Sequence, residues 1–414
     1  MKRYLLMNRN VPLLEFGIEN TSLGEEVKEI KSIFDLRPHG FYDIATWLEN
    51  RNYAKHKEHF KKWLSEWGLD TTEGFIDITH CLSINDTLWV KERSSDLTWD
   101  KVNLYENNFS DVAQQTAFEG GLFGLQISST ALTSPEFTSE GTCPKFWKKE
   151  SEGIFLYKSQ LSGAKNFGLE ANAEYVSSFI LQQITSNSIL YDLVMIKGKL
   201  CSRCSLFTNE QYGYVPFYKM IDVNKKYTIN DVIQICEKMG FGKECREMFF
   251  LDSIVFNQDR HLGNFGFLVD NETFEIKGFA PLFDYNQSML CNALDSDIQT
   301  LEEFYAYEKE YMLGHKLGGR FSEVGKALCT DELRQMIPKS IIFPKHEKYN
   351  LDNHRVELLL HIFNDNISKI TEDKTYHISY IDVKELKPVV EADNVHRIEN
   401  SINFSPKETG PKLM

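Results

Sequence analysis

The sequence predicts an α+β fold of two lobes with a mainly helical N-terminal extension. Three observations carry this expectation. Between residues 122 and 207, strand-like segments surround one helix in the order strand, loop, strand, helix, strands. From Asn230 to Phe256 the chain reads as two helices, broken at Gly240-Phe241-Gly242. From Asp43 to Trp67, the residues Ile44, Trp47, Leu48, Phe60, Trp63, Leu64 and Trp67 recur at helical spacing among Lys and Glu.

A chain of 414 residues with 42% hydrophobic content can bury a sizeable core and has room for two or three domains. The expected spans are a helical accessory region at 1–120, a small lobe at 121–212, a mainly helical large lobe at 213–385 and a tail at 386–414. In the accessory region Trp89, Trp99, Phe109 and Phe118 read as core aromatics under irregular loops, because such rings bury large areas.

The small lobe opens with strands at Leu122–Leu132 and Gly153–Lys158, separated by the polar loop Thr133–Lys145. Glu170–Thr185 reads as a helix with Ala173, Val176, Phe179, Ile180 and Ile184 on one face, and strands return at Tyr191–Ile196 and Leu200–Phe207. In the large lobe, Phe265–Val269 and Thr273–Phe279 form a hairpin about Asp270-Asn271-Glu272. Residues after Gln287 read as mostly helical, the tail from about Tyr376 has little periodicity, and fraying is expected at the end.

Composition excludes some functions. A net charge of -14 and a pI near 5.4 argue against a surface that neutralises nucleic-acid phosphates, so no direct nucleic-acid contact is expected. No run of eighteen apolar residues occurs, and Asn8-Arg9-Asn10 interrupts the opening stretch too early for a signal-peptide core, which predicts a cytoplasmic protein without membrane attachment. Eight scattered cysteines fit reduced, buried thiols, and the lone Cys201-x-x-Cys204 lacks the second ligand pair of a zinc site.

The densest chemistry lies in Asn257-Gln258-Asp259-Arg260-His261-Leu262-Gly263-Asn264-Phe265-Gly266, followed by Asp284 in Ala280-Pro281-Leu282-Phe283-Asp284. Moving a γ-phosphoryl group needs a carboxylate to orient the acceptor hydroxyl, and an amide oxygen plus a second carboxylate to hold magnesium. Asp259 and Asn264 have the D-x-x-x-x-N spacing of such a loop, and the hairpin would return Asp284 beside Asn264. Asp259 is therefore the candidate base, and Asn264 and Asp284 are the candidate metal ligands. His261 could touch a nucleotide, but holding the loop by hydrogen bonds suits a neutral imidazole better. Arg260 could pair with an acidic neighbour or with a regulatory phosphate.

Lys158 closes an apolar strand sixteen residues before Glu174 on the following helix, as in the kinase Lys and Glu pair, with Glu170 as second choice. The loop Ser134–Lys145 would cover phosphates with backbone amides near Gly141 and the Lys145 ammonium, although it has neither G-x-G-x-x-G nor a Walker signature.

These segments, with Leu156-Tyr157-Lys158, Glu170, Glu174 and Cys204-Ser205-Leu206-Phe207-Thr208, resemble the HipA-like serine/threonine protein kinases, and more closely the CtkA-like bacterial kinases. The resemblance runs by motif from Ser134 to Tyr285. It implies a bilobal protein-kinase-like fold, ATP and magnesium as cofactors, and a protein Ser or Thr as acceptor. It also implies Lys158 on the phosphates, Leu206, Phe207 and Thr208 as the hinge near adenine, and autophosphorylation at Ser134, Thr138 or Ser139. An antitoxin or other regulatory protein is the partner it would supply. Two other readings remain at this point: a phosphoinositide-type lipid kinase, disfavoured by the acidic balance, and a non-catalytic regulatory or toxin–antitoxin binding module.

Overall fold

The computed structural model describes residues 1–22, 24–34, 37–52, 71–110, 114, 118, 134–135, 144–163 and 165–382. The helix expected beyond residue 52, the strand expected at 122–132, Gly141 with most of its loop, and the tail lie outside these residues. The architecture is α+β, as expected. Two compact units share it: Met1–Lys158 with Thr208–Val215 and Leu268–Lys277, and Ser159–Phe207 with Pro216–Phe267 and Gly278–Met414. Within the span 121–212, expected as one lobe, Ser159–Phe207 falls in the second unit and the rest in the first.

The N-terminal region corrects the expectation of a mainly helical extension. It is built on a four-stranded antiparallel sheet of β1 (Lys2–Asn8), β2 (Val11–Thr21), β3 (Gly24–Ser32) and β4 (Leu88–Glu92), in the order β3-β2-β1-β4. Alternation explains it: Tyr4 and Leu6 on β1 stand opposite Phe16 and Leu14 on β2, so period-two spacing places all four on one face. The Tyr4 and Phe16 rings stack at 5.5 Å. Arg9, at φ 49°, turns the chain between β1 and β2. Helices Ile44–Arg51 and Thr72–Thr79 then lay Ile44, Trp47, Leu48, Phe75 and Ile76 into the same core. Their first turns are capped by Asp43, which accepts from Thr46 N at 2.8 Å, and by Thr71, which accepts from Gly74 N at 3.0 Å. Trp89, Trp99, Phe109 and Phe118 are buried, as packing aromatics should be.

The same unit holds the tip of the expected hairpin, whose strands run Gly266–Asp270 and Ile276–Phe279. Asn271 at its tip is buried and works as a plug. Its Nδ2 donates to the carbonyls of Asn209 (3.1 Å) and Glu210 (3.0 Å), its backbone N donates to Gln211 O at 2.9 Å, and its own carbonyl accepts from Asn8 Nδ2 at 2.6 Å. Gly213 lies so close that a Cβ there would meet Asn271 Oδ1 and the Asn85 carbonyl. Strands Lys145–Glu150 and Gly153–Ser159 form a second hairpin through Gly153 at φ +138°, a conformation that favours glycine.

In the second unit the helix Glu170–Gln182 is buried along almost its whole length. The expected helix pair is Ile229–Lys238, opened by a Thr228 and Asp231 capping box, and Gly242–Val255. Asp192–Ile196 and Lys199–Ser205 pair as an antiparallel hairpin. Cys201 and Cys204 fall in this second strand at an odd offset, on opposite faces, so they cannot chelate together. Burial pushes the Cys201 thiol up to about 11.

Beyond Gln287 the chain adds helices Leu301–Glu310, Phe321–Leu328, Asp331–Met336 and Asn353–Thr371. It also forms two strands the helical expectation did not include, Ser340–Lys345 and His377–Asp382, which pair in parallel. Parallel pairing needs a crossover of a dozen residues or more, and helix Asn353–Thr371 supplies it. No helix among the described residues is long and apolar enough to cross a membrane.

Replacing Asn271 by Ala removes the side-chain donor shared by the Asn209 and Glu210 carbonyls, and only Glu210 O keeps a second donor, Arg9 Nη2, so a loss of about 1–2 kcal/mol is expected in denaturant unfolding. Unfolding at the wild-type midpoint would show that the plug carries no stability.

Candidate active site

The Asn257–Gly266 motif is a turn hung from the end of helix Gly242–Val255. Phe256 takes a left-handed conformation at φ 55° and ends the helix, and Asn257 N donates back to Asp252 O at 3.0 Å. The turn then ties itself together. Asp259 N donates to Asn257 Oδ1 at 3.2 Å, His261 N to Asp259 O at 2.7 Å, and Asn264 N to His261 O at 2.9 Å. Gly263 N donates to His261 Nδ1 at 3.0 Å, so His261 takes the loop-holding role.

Arg260 settles which partner it meets. Its fully buried guanidinium grips Asp252 through Nε to Oδ2 (2.9 Å) and Nη2 to Oδ1 (3.0 Å). Its Nη1 donates to two carbonyls at 2.6 Å each, those of Asn264 and Phe283. One nitrogen thus binds the backbone of one candidate metal ligand and of the residue directly before the other. The Tyr285 ring lies under the guanidinium at 5.4 Å. Burial works to lower the Arg260 pKa, but the Asp252 charge and hydrogen bonds outweigh it and hold the group above its ordinary value.

Asp284 sits at φ 63°, a left-handed conformation that Asp tolerates better than most residues, and its N–H donates to Tyr191 OH at 3.2 Å. Pairing along the hairpin continues past the sheet, with Ala280 N donating to Gly266 O at 2.9 Å. Asn264 commits its Nδ2 to Asp259 O at 2.9 Å, which leaves Oδ1 as its side-chain oxygen for a cation. A hard cation such as magnesium suits this oxygen donor set, and it would draw its remaining ligands from water and phosphate. Among the described residues no group of three or more His, Cys, Asp and Glu side chains could hold a metal ion unaided.

The other candidates fall in different places. Glu174 is fully buried and accepts from Ser202 Oγ, while Glu170 accepts from Leu161 N (3.2 Å) and Gly168 N (3.0 Å), so Glu170 is a loop-capping group. Phe207 packs against Phe283 with ring centroids 5.4 Å apart, and Leu206 beside it is half-buried. Thr208 is buried with its hydroxyl on Ile84 O at 2.6 Å, which commits the side chain to the N-terminal region. In the first unit Lys158 is buried and stands directly opposite half-buried Lys145 in antiparallel register. That register puts the two predicted phosphate-directed lysines on one face. Ser134 is buried.

Two residues escaped the sequence reading. Lys316 Nζ lies 3.2 Å from Asp259 Oδ1. His315 beside it is buried, with Nε2 hydrogen-bonded to Ser253 Oγ at 2.8 Å. The only signal was the glycine-rich frame Gly314-His315-Lys316-Leu317-Gly318-Gly319, fifty residues past the motif.

No family model matches this chain. The Helicobacter pylori serine/threonine-protein kinase CtkA is 30% identical over 136 residues, covering 30% of this chain and 42% of that protein's length. The chain thus spans less than half the length of this CtkA relative. The crystal structure of the H. pylori proinflammatory kinase CtkA aligns at a TM-score of 0.44 with 19% identity, over 57% of this chain and 91% of that one. The Shewanella oneidensis HipA, from a toxin–antitoxin complex with HipB and operator DNA, aligns at 0.46 with 10% identity, over 89% and 97%.

Two outcomes test the electrostatics of the site. Arg260→Ala leaves Asp252 buried and unpaired, so a loss of about 3–5 kcal/mol is expected in urea unfolding; a loss below about 1 kcal/mol would show that the pair is dispensable. For His315, burial lowers the folded-state value to about 4 from an ordinary 6.5. The unfolded chain then binds the extra proton between those values, so stability is full above pH 6.5 and is lost as pH falls toward 4. A His315→Gln variant should flatten that part of the stability profile, and an unchanged slope would remove His315 as its source.

Proposed function

We propose that this chain is an ATP- and magnesium-dependent serine/threonine protein kinase of the HipA/CtkA-like kind. The observation that carries the reading is the pair of hydrogen bonds from Arg260 Nη1 to the Asn264 and Phe283 carbonyls, which draws Asn264 and the Asp284 segment together beside Asp259. Similarity to CtkA supports the same chemistry independently of that geometry.

In this reading Asp259 accepts the proton of a Ser or Thr hydroxyl as its oxygen bonds the γ-phosphorus. The bond from that phosphorus to the bridging oxygen breaks, and its electrons leave with ADP. Asn264 Oδ1 and the Asp284 carboxylate would hold magnesium, which neutralises charge on the phosphates when bound. Lys158, with its cross-strand neighbour Lys145, is assigned to the phosphates on the strength of the resemblance. Glu174, buried beside Ser202, is carried over as a site residue on the strength of the resemblance. The acceptor is a protein hydroxyl.

Incubation with γ-labelled ATP, magnesium and a generic protein substrate tests the proposal. Wild type should transfer label, while Asp259→Asn and Asp284→Asn should each lower transfer by about 100-fold or more. Equal labelling by wild type and Asp259→Asn would overturn the assignment.

A further inference from the structure

Lys316 lies on the loop Gly314–Arg320, between helices Leu301–Glu310 and Phe321–Leu328. The loop is closed on itself: His315 N donates to Gly319 O at 3.0 Å and Gly318 N to His315 O at 2.8 Å. Gly318 and Gly319 adopt φ +98° and +93°, and a Cβ on Gly314 would run into the Gly319 carbonyl. The His315 ring packs at 4.8 Å from Phe321 and 6.1 Å from Phe249, and its Nε2 meets Ser253. Ser253 and Phe249 belong to helix Gly242–Val255, which also carries Asp252 and ends at the motif. The same helix therefore sets both Asp259 and the base of Lys316.

What this anchoring holds in place is a loose ion pair. The Lys316 and Asp259 side chains are 55% and 34% exposed, so their contact at 3.2 Å adds little stability and can exchange partners. A braced loop with an exposed ammonium at its tip suits a group that must follow a charge as it moves. An ammonium beside the base would also stand near the oxygens whose charge grows during phosphoryl transfer.

We infer that Lys316 is a catalytic cation of this centre, paired with Asp259 in the free protein and turned to the terminal phosphoryl oxygens when nucleotide binds, which frees Asp259 for the acceptor hydroxyl. The inference rests on the proposed kinase reading and adds a residue to it. Calorimetry with magnesium plus ADP or the non-hydrolysable triphosphate AMPPNP, alongside label transfer from ATP, tests it on wild type, Lys316→Ala and Lys316→Arg.

Lys316→Ala should bind ADP within about twofold of wild type, lose about tenfold in AMPPNP affinity, and transfer label about 100-fold more slowly. Lys316→Arg should recover most of both losses, since it keeps the charge. An unchanged ratio of AMPPNP to ADP affinity in Lys316→Ala overturns the inference, as does equal weakening of both nucleotides, which would mark a structural role. Wild type that binds neither nucleotide and transfers no label overturns the kinase reading itself, and the inference with it.

Discussion

The buried pair between Arg260 and Asp252 is the constraint on which the rest of the candidate site depends. Burying two charges is costly unless every polar atom is matched. Here the match is dense: Asp252 Oδ2 takes Arg260 Nε, Oδ1 takes Nη2 and Asn257 Nδ2, and Nη1 spreads over two carbonyls. A lysine could not reproduce this, because only the planar guanidinium presents donors to a carboxylate and to two peptide oxygens at once. The pair stabilises one arrangement of the turn and its partner segment, and that arrangement carries the chemistry.

The remaining parts follow from it in sequence. Helix Gly242–Val255 positions Asp252, Asp252 orients Arg260, and Arg260 fastens Asn264 and Phe283. Asp259 is held by its own backbone, whose N–H donates to the Asn257 side chain and whose carbonyl accepts from the Asn264 side chain, which leaves its carboxylate out of the turn's internal hydrogen bonding. Lys316 meets it there from a second segment braced on the same helix. Below, the rings of Phe217, Phe249, Phe265 and Phe279 pack against one another and give the turn a stiff floor.

Local signals made much of this legible. The helix break at Gly240-Phe241-Gly242, the hairpin about Asp270-Asn271-Glu272, and the buried face of helix Glu170–Gln182 all follow from spacing and turn chemistry. The motif placed Asp259, Asn264 and Asp284 in one unit because short offsets and one hairpin connect them. Other features depend on pairings between distant residues, which spacing does not encode. Asp252 looks like an ordinary helical acid until Arg260 folds back on it. Lys316 lies 57 residues from Asp259 (316 minus 259), with no local pattern linking them.

The N-terminal strands were readable from the alternation of Tyr4, Leu6, Leu14, Phe16 and Ile18 around Arg9-Asn10. The helical periodicity downstream, from Asp43 to Trp67, outweighed it. The parallel strands at Ser340–Lys345 and His377–Asp382 are short apolar runs beside a long helix, where periodicity alone does not separate strand from helix.

The central claim is that the Arg260 clamp brings Asn264 and Asp284 to one magnesium ion. A crystal structure of the chain with magnesium and AMPPNP measures this most directly. The account predicts a single ion bonded to Asn264 Oδ1 and an Asp284 carboxylate oxygen at about 2.1 Å, with nucleotide phosphate completing its shell. A magnesium–nucleotide complex bound with neither side chain on the metal would contradict it.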